Sequence, residues 1–236
     1  MKRYDPKSIE PKWQENWEKT NLYKAVEDPS RKEDKAYVID MFPYPSGAGL
    51  HVGHVRNFSI SDTYALYLRQ RGRNVLRTVG FDAFGLPTEN YAIKTGISPQ
   101  EATAQNVENF RTQLKKLGMS YDWSREVITT DPSYYRWTQW IFLQLFKNGL
   151  AYQKENPQWW CEHDQTVLAD EQVINGRCWR CENPVVKKSL KQWFFKITAY
   201  ADDLLEGLDD LDWPEKIKTM QRNWIGKSVG AEIDFK

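Results

Sequence analysis

Apolar positions at the start of the chain recur at helical spacing. Ile9, Trp13 and Trp17, with Tyr23 beyond them, lie on one stripe, which predicts an amphipathic helix. The charged run Glu27–Asp34 reads as a solvated turn. From Ala36 to Phe42 the pattern becomes short, mostly apolar and rich in β-branched and aromatic residues, the mark of a buried strand. A Pro/Gly loop over 43–49 leads to a helical segment from His51 to Gln70, closed by Gly72. Asn74–Val79 repeats the buried-strand pattern. Strand, helix and strand in such a short span make a βαβ unit, which requires a parallel pair and a right-handed crossover. The chain is α/β in class.

Beyond Gly80 a second loop covers 81–87. Ser98-Pro99-Gln100-Glu101 is a capping box that opens a helix ending near Gly118. Asp131-Pro132 opens another, with Trp137, Trp140, Ile141, Phe142, Leu145 and Phe146 as its expected buried side and Asn148-Gly149 at its end. Residues 157–190 lose this periodicity and hold all three cysteines, so they read as an inserted module. Trp193–Ile197 suits a strand or the entry to a helix, and short helices are predicted over 199–210 and 214–225.

Composition narrows the function classes. With 236 residues, 40% apolar and 28% charged, the chain can bury one domain plus an extra module. Lys+Arg 33 against Asp+Glu 32 leaves a net charge of +1, so no global charge excess marks a nucleic-acid binder. The sequence lacks a run of about 18 apolar residues, and its start lacks the apolar stretch of a signal peptide. Three cysteines are too few for a disulfide scaffold. The expectation is a cytoplasmic globular protein with no membrane partner. The 11 Trp and 12 Tyr suit base stacking or a large aromatic core; their helical spacing favours the core.

Two constellations carry chemistry. The loop from Pro43 to His54 leaves the carboxyl end of a strand and opens a helix, where open α/β sheets bind ligands. Unpaired N–H groups and the dipole make that helix start a phosphate site, and Gly47, Gly49 and Gly53 allow close approach. His51 and His54, two of the three histidines, share one side of the helix start and can donate to phosphate oxygens. A metal pair and incidental surface histidines are the alternatives; the zincin Glu is absent between them. The second constellation is Cys161, Cys178 and Cys181, spaced C-x16-C-x2-C, a zinc-knuckle pattern with His163 as an apt fourth ligand. A degenerate or empty site is its alternative. The run Lys187-Lys188-Ser189-Leu190-Lys191 reads first as a solvated face.

Five strings in order carry a family resemblance: 43–54, Gly80–Pro87, Tyr121–Glu126, Asp164–Ala169 and Gln221–Ser228. Together they resemble the class I aminoacyl-tRNA synthetases, and among them the leucyl enzymes of the bacterial type, over almost the whole chain. The resemblance implies the first half of a Rossmann-like nucleotide-binding parallel sheet with flanking helices and a small inserted zinc-knuckle-like module. It divides the chain into an N-terminal helix and connector (1–35), the catalytic half-domain (36–156), the insertion (157–190) and a return to the catalytic domain (191–236). The implied reaction is activation of leucine by ATP with Mg2+, then transfer to tRNA(Leu).

By the same resemblance Pro43, Ser46, Gly47, His51, Gly53 and His54 bind ATP, with the two histidines as the catalytic pair. Met41, Phe42 and Tyr44 wall the leucine, and Asp82 holds its ammonium, an Asx turn being the plain alternative for Asp82. The family's fourth zinc position falls on Asp164, leaving His163 or Asp164 to complete the Cys161, Cys178, Cys181 set around a structural Zn2+. The second lysine-rich motif, the editing domain and the anticodon-side domain are not found in these residues. The remainder of the enzyme as a second chain is therefore a further implied partner, and a non-catalytic nucleotide- or tRNA-binding piece is the alternative function.

Overall fold

The computed structural model describes residues 3–45 and 49–235, apart from the side chain of Pro87. The chain divides into two units, Met1–Thr138 and Gln139–Lys236.

In the first unit, α1 (Pro6–Lys19) starts at Asp5, whose side chain accepts from the Lys7 amide. Its predicted stripe packs only at one end: Trp17 meets Tyr23 at 5.9 Å between ring centroids, while Ile9 and Trp13 stay exposed. The charged turn is a 3-10 stretch, Pro29–Asp34. β1 (Lys35–Tyr37) is shorter than the strand predicted over 36–42. One more ladder bond, Val38 N–H to Leu76 O at 3.0 Å, extends it before Asp40 turns inward and Pro43 and Pro45 remove donors. Ile39 and Met41 are consequently exposed, not buried. α2 (Val52–Gln70) carries the chain back to β2 (Asn74–Leu76), which lies parallel to β1 in the register Lys35↔Asn74 to Tyr37↔Leu76. The βαβ unit therefore forms as expected.

The strand expected over 74–79 also breaks, at Arg77. β3 (Gly80–Phe81), α3 (Leu86–Thr95), α4 (Pro99–Lys116) and β4 (Val127–Ile128) follow, with β3 and β4 parallel. The pattern reading missed α3, although Gly85 at its start and left-handed Gly96 (φ 74°) at its end bracket it. α4 begins as predicted, the Ser98 side chain accepting from the Glu101 amide at 3.2 Å. The core joins Phe58, Val79, Phe81, Val107, Phe110, Leu114, Met119 and Tyr121.

Beside this core sits a buried charge cluster that the sequence reading passed over. Arg77 is fully buried and forms ion pairs with Asp40 (2.5 Å) and Asp62 (2.6 Å). Tyr121 donates to Asp40 at 2.9 Å and lies under the guanidinium at 3.9 Å. Asp62 also accepts from the Ser120 amide (2.8 Å) and hydroxyl (2.7 Å).

In the second unit, α5 (Pro132–Lys147, entering from the first) meets a long antiparallel ribbon of β5 (Ala151–Cys161) and β9 (Val186–Phe195). Phe142 and Phe146 stand against Trp193 at 5.0 and 5.7 Å. The expected buried side of α5 is not realised: none of its residues is buried, and Trp137, Trp140, Ile141 and Phe146 are exposed. A two-stranded ribbon offers too narrow a face to cover the helical stripe. β6 (Thr166–Leu168) adds a third strand beside β5; β7 (Val173–Ile174) and β8 (Arg177–Cys178) form a separate hairpin. α6 (Ala201–Gly207) and α7 (Glu215–Ile225) occupy the two predicted helical stretches, the first shortened. Among the described residues no helix is long and apolar enough to cross a membrane.

Removing the Arg77 charge strands two carboxylates in the interior. Arg77→Met is expected to lower the unfolding free energy by about 3–5 kcal/mol, read by urea denaturation of the first unit's tyrosine and tryptophan signal. A loss below about 1 kcal/mol, the scale of an exposed pair, would contradict the assigned burial.

Candidate functional site

The loop after β1 and the start of α2 come together with the end of β3. His51 is the N-cap residue of α2, with extended backbone (φ -105°, ψ 168°), and its amide donates to His54 Nδ1 at 3.3 Å. The two imidazoles stack at 3.7 Å between centroids, and His54 stacks in turn on Phe58 at 5.8 Å. Because Nδ1 of His54 accepts, the neutral ring carries its proton on Nε2, a donor of fixed tautomer at the positive end of the helix. Burial, and then the nearby His51, hold the His54 imidazolium below its ordinary pKa, so it is neutral at pH 7. Gly53 serves this stack: a Cβ there would lie 2.9 Å from His51 Cε1. The residue expected to make room for the nucleotide thus also makes room for a histidine.

Phe42, half-buried, rests on β3, where a Cβ on Gly80 would approach its ring to 2.2 Å. Pro43 and Pro45 are buried, while Met41 and Tyr44 expose 61% and 58% of their surface, available to a ligand. Asn57 of α2 donates to Met41 Sδ at 3.6 Å. The Asp82 amide donates to Pro43 O at 3.0 Å, which sets Asp82 beside the loop. Among the described residues the Asp82 carboxylate has no hydrogen bond or ion pair, so the Asx turn does not form there. Ser46 and Gly47 lie outside the described residues.

Two loop anchors escaped the sequence reading. Asn106 of α4 donates to Pro45 O at 2.8 Å, and Gln113 accepts from the Leu50 amide at 2.7 Å. Both stand next to buried apolar positions of the same helix (Val107 and Leu114), and a polar residue within an apolar stripe was the available signal.

In the second unit Cys161, Asp164, Cys178 and Cys181 bring their ligand atoms within 4.8 Å of one another. Cys161 and Cys181 sulfurs lie 3.4 Å apart without a disulfide, and Cys178 Sγ meets Asp164 Oδ2 at 3.2 Å. His163 stays outside the cluster, largely exposed, with Nδ1 3.1 Å from Asp164 Oδ1. Of the two candidate fourth ligands, the fold turns Asp164 inward. Burial pushes the Cys161 thiol up to about 11.

Comparisons with known proteins identify the family. Residues 12–229 match the family described as tRNA synthetases class I (I, L, M and V). The leucine–tRNA ligase of Caldanaerobacter subterraneus subsp. tengcongensis is 58% identical over 228 residues, 97% of this chain and 28% of that protein. The leucine–tRNA ligase subunit alpha of Aquifex aeolicus is 55% identical, over 100% of this chain and 37% of its own length. The chain thus spans 28% and 37% of the length of these two relatives. Among solved structures, the ternary complex of Agrobacterium radiobacter K84 agnB2 LeuRS with tRNA and LeuAMS superposes with a TM-score of 0.84 at 42% identity, covering 95% of this chain and 29% of that one. Mycobacterium tuberculosis methionyl-tRNA synthetase shares the fold, with a TM-score of 0.67 at 23% identity over 81% of this chain and 38% of that one. With a family match running through both units, the chain belongs to the class I tRNA synthetases.

Proposed function

We propose that this chain is part of the catalytic domain of a leucine–tRNA ligase and builds its leucyl-adenylate site. The observation that carries the reading is the stacked His51–His54 pair at the helix start, together with an Asp82 that is held to the same loop through Pro43 O and whose carboxylate has no partner among the described residues. The leucine–tRNA ligases at 55–58% identity support leucine as the amino acid. In this reading the leucine carboxylate attacks the α-phosphorus of Mg-ATP. The bond to pyrophosphate breaks and leucyl-adenylate forms. A ribose hydroxyl at the tRNA(Leu) end then attacks the activated carbonyl and releases AMP. Such chemistry needs positioning and charge stabilisation more than a protein nucleophile. His51 and His54 donate to the ATP phosphates, with Pro43, Ser46, Gly47 and Gly53 lining the nucleotide. Met41, Phe42 and Tyr44 enclose the leucine side chain, and Asp82 accepts from its ammonium. The cytoplasm, where ATP and tRNA are found together, is the proposed location.

Three thiols and a carboxylate within reach of one another suit a tetrahedral zinc site. Cys161, Asp164, Cys178 and Cys181 would hold the ion, and His163 would orient Asp164 through its hydrogen bond. The metal would supply cross-linking of the knuckle, whose apolar cluster is otherwise only Cys161, Leu168, Cys178 and a few partly buried neighbours.

A second reading has one observation in its favour. The Aquifex aeolicus relative is a subunit alpha, so this chain would turn over only with a complementary chain.

Leucine-dependent exchange of pyrophosphate into ATP is the test of the reaction. Asp82→Ala should reduce it at least about 100-fold, and His54→Ala by about 10²–10³. Exchange that appears only when the rest of the enzyme is added selects the second reading; none in either case overturns both. His54 gives an independent check. Its ring should titrate below 6.5 in the free protein and move upward when pyrophosphate fills the helix start, because an anion favours the imidazolium. An unmoved titration would place the anion elsewhere. For the knuckle, one zinc per chain is expected, kept in His163→Ala and lost in Asp164→Ala, as read by metal analysis. The reverse pattern would return the fourth ligand to His163.

A further inference from the structure

Asp40 immediately precedes the wall residues Met41 and Phe42, yet it points away from the site, into the interior. Its carboxylate accepts from Arg77 Nη2, from Tyr121 at 2.9 Å and from the Ser61 hydroxyl of α2. Arg77 is itself fixed by Asp62 at 2.6 Å, by Phe58 O at 3.1 Å and by the Tyr121 ring. Ser120 joins Asp62 to Arg69, whose Nη1 reaches the Ser120 hydroxyl at 2.8 Å. Burial pushes the Tyr121 phenol up, so it remains a donor through the neutral range. Between Phe42 and Tyr44, Pro43 O accepts from the Asp82 amide. The segment 41–43 is therefore held at both ends, by a charge cluster behind it and by the ammonium-binding strand end in front.

We propose that Arg77, Tyr121 and Ser61 are positioning residues that act through Asp40 to set the amino-acid wall and, with it, discrimination for leucine. The inference rests on the reading of Met41 and Phe42 as that wall. A charge cluster that served only the fold would not need to converge on the residue next to the pocket; Asp40 draws three donors from three segments of the chain. Loosening Asp40 by one donor lets the 41–43 segment sample other positions without removing any atom that touches leucine or ATP.

Tyr121→Phe and Ser61→Ala each delete one hydroxyl and keep the Arg77 ion pairs. Arg111→Gln is the control, because it breaks the part-buried Arg111–Glu126 pair (2.6 Å) elsewhere in the same unit. Two readouts are taken on the chain, with the rest of the enzyme added if exchange requires it. Hydrogen exchange at the Asp82 amide, which reports its bond to Pro43 O, should quicken about 10-fold in Tyr121→Phe and not in Arg111→Gln. In pyrophosphate exchange the KM for leucine should rise about 5–10-fold, with the KM for ATP and kcat within about twofold, and preference over isoleucine should fall. An unchanged Asp82 amide, or equal effects in Arg111→Gln, would overturn the inference. Faster Asp82 exchange in a protein without leucine-dependent turnover would support the positioning and overturn the proposed function instead.

Discussion

A guanidinium cannot shed its charge in the interior, and Arg77 is completely buried. Each segment around it is arranged by that constraint. β1 stops early because Asp40 must turn inward, and α2 presents Asp62 on its buried side. The segment after α4 supplies Tyr121 beneath the cation and Ser120 beside Asp62. Even the backbone of Arg77 is used, its carbonyl accepting from the Asp122 amide at 2.8 Å. Removing the guanidinium alone strands its carboxylates, whereas exchanging the whole set for hydrophobic residues of similar volume is often no less stable. The cluster therefore makes better sense as a device that specifies one arrangement of loops than as a source of stability.

The chemistry proposed for the chain lies at the edge of the cluster. The helix start with its stacked histidines, the segment 41–44 and Asp82 meet where two short parallel pairs end. Strand ends and helix starts are the parts of an open α/β sheet with unpaired backbone donors facing outward. The aromatic core behind them, from Phe58 to Tyr121, gives the His54 ring its stacking partner and depresses its charge. The second unit is built on a different basis: a long ribbon, a helix touching it through two phenylalanines, and a cluster of three cysteines and Asp164.

Sequence reading succeeded where local chemistry announces itself. The Ser98 cap, the Gly72 and Gly149 helix ends and the βαβ unit were all legible from turn residues and apolar spacing. It failed where a polar residue interrupts an apolar run. Asp40 and Arg77 sit inside stretches that read as strands, and each ends its strand because its charge must find a partner across the core. α3 was missed because among its described residues the buried ones are Thr88 and Ala92, too few for a visible stripe. Of the residues proposed for the site, the structure brings His51, His54, Phe42 and Asp82 into one region. Spacing alone left open whether His163 or Asp164 joins the cysteines, since only the turn after β5 decides which of two adjacent side chains points inward.

In the proposed function the ends of β1 and β3 and the start of α2 form one leucyl-adenylate site. Titration of isotopically labelled chain with a non-hydrolysable leucyl-adenylate analogue, followed by NMR, tests it most directly. Saturable shifts are expected at Met41–Tyr44, His51, His54 and Asp82, weaker for the isoleucyl analogue, with the cysteine cluster around Cys161 and Cys178 unmoved. Saturable shifts that bypass these residues, or a folded chain that gives none with the remainder of the enzyme present, would contradict it.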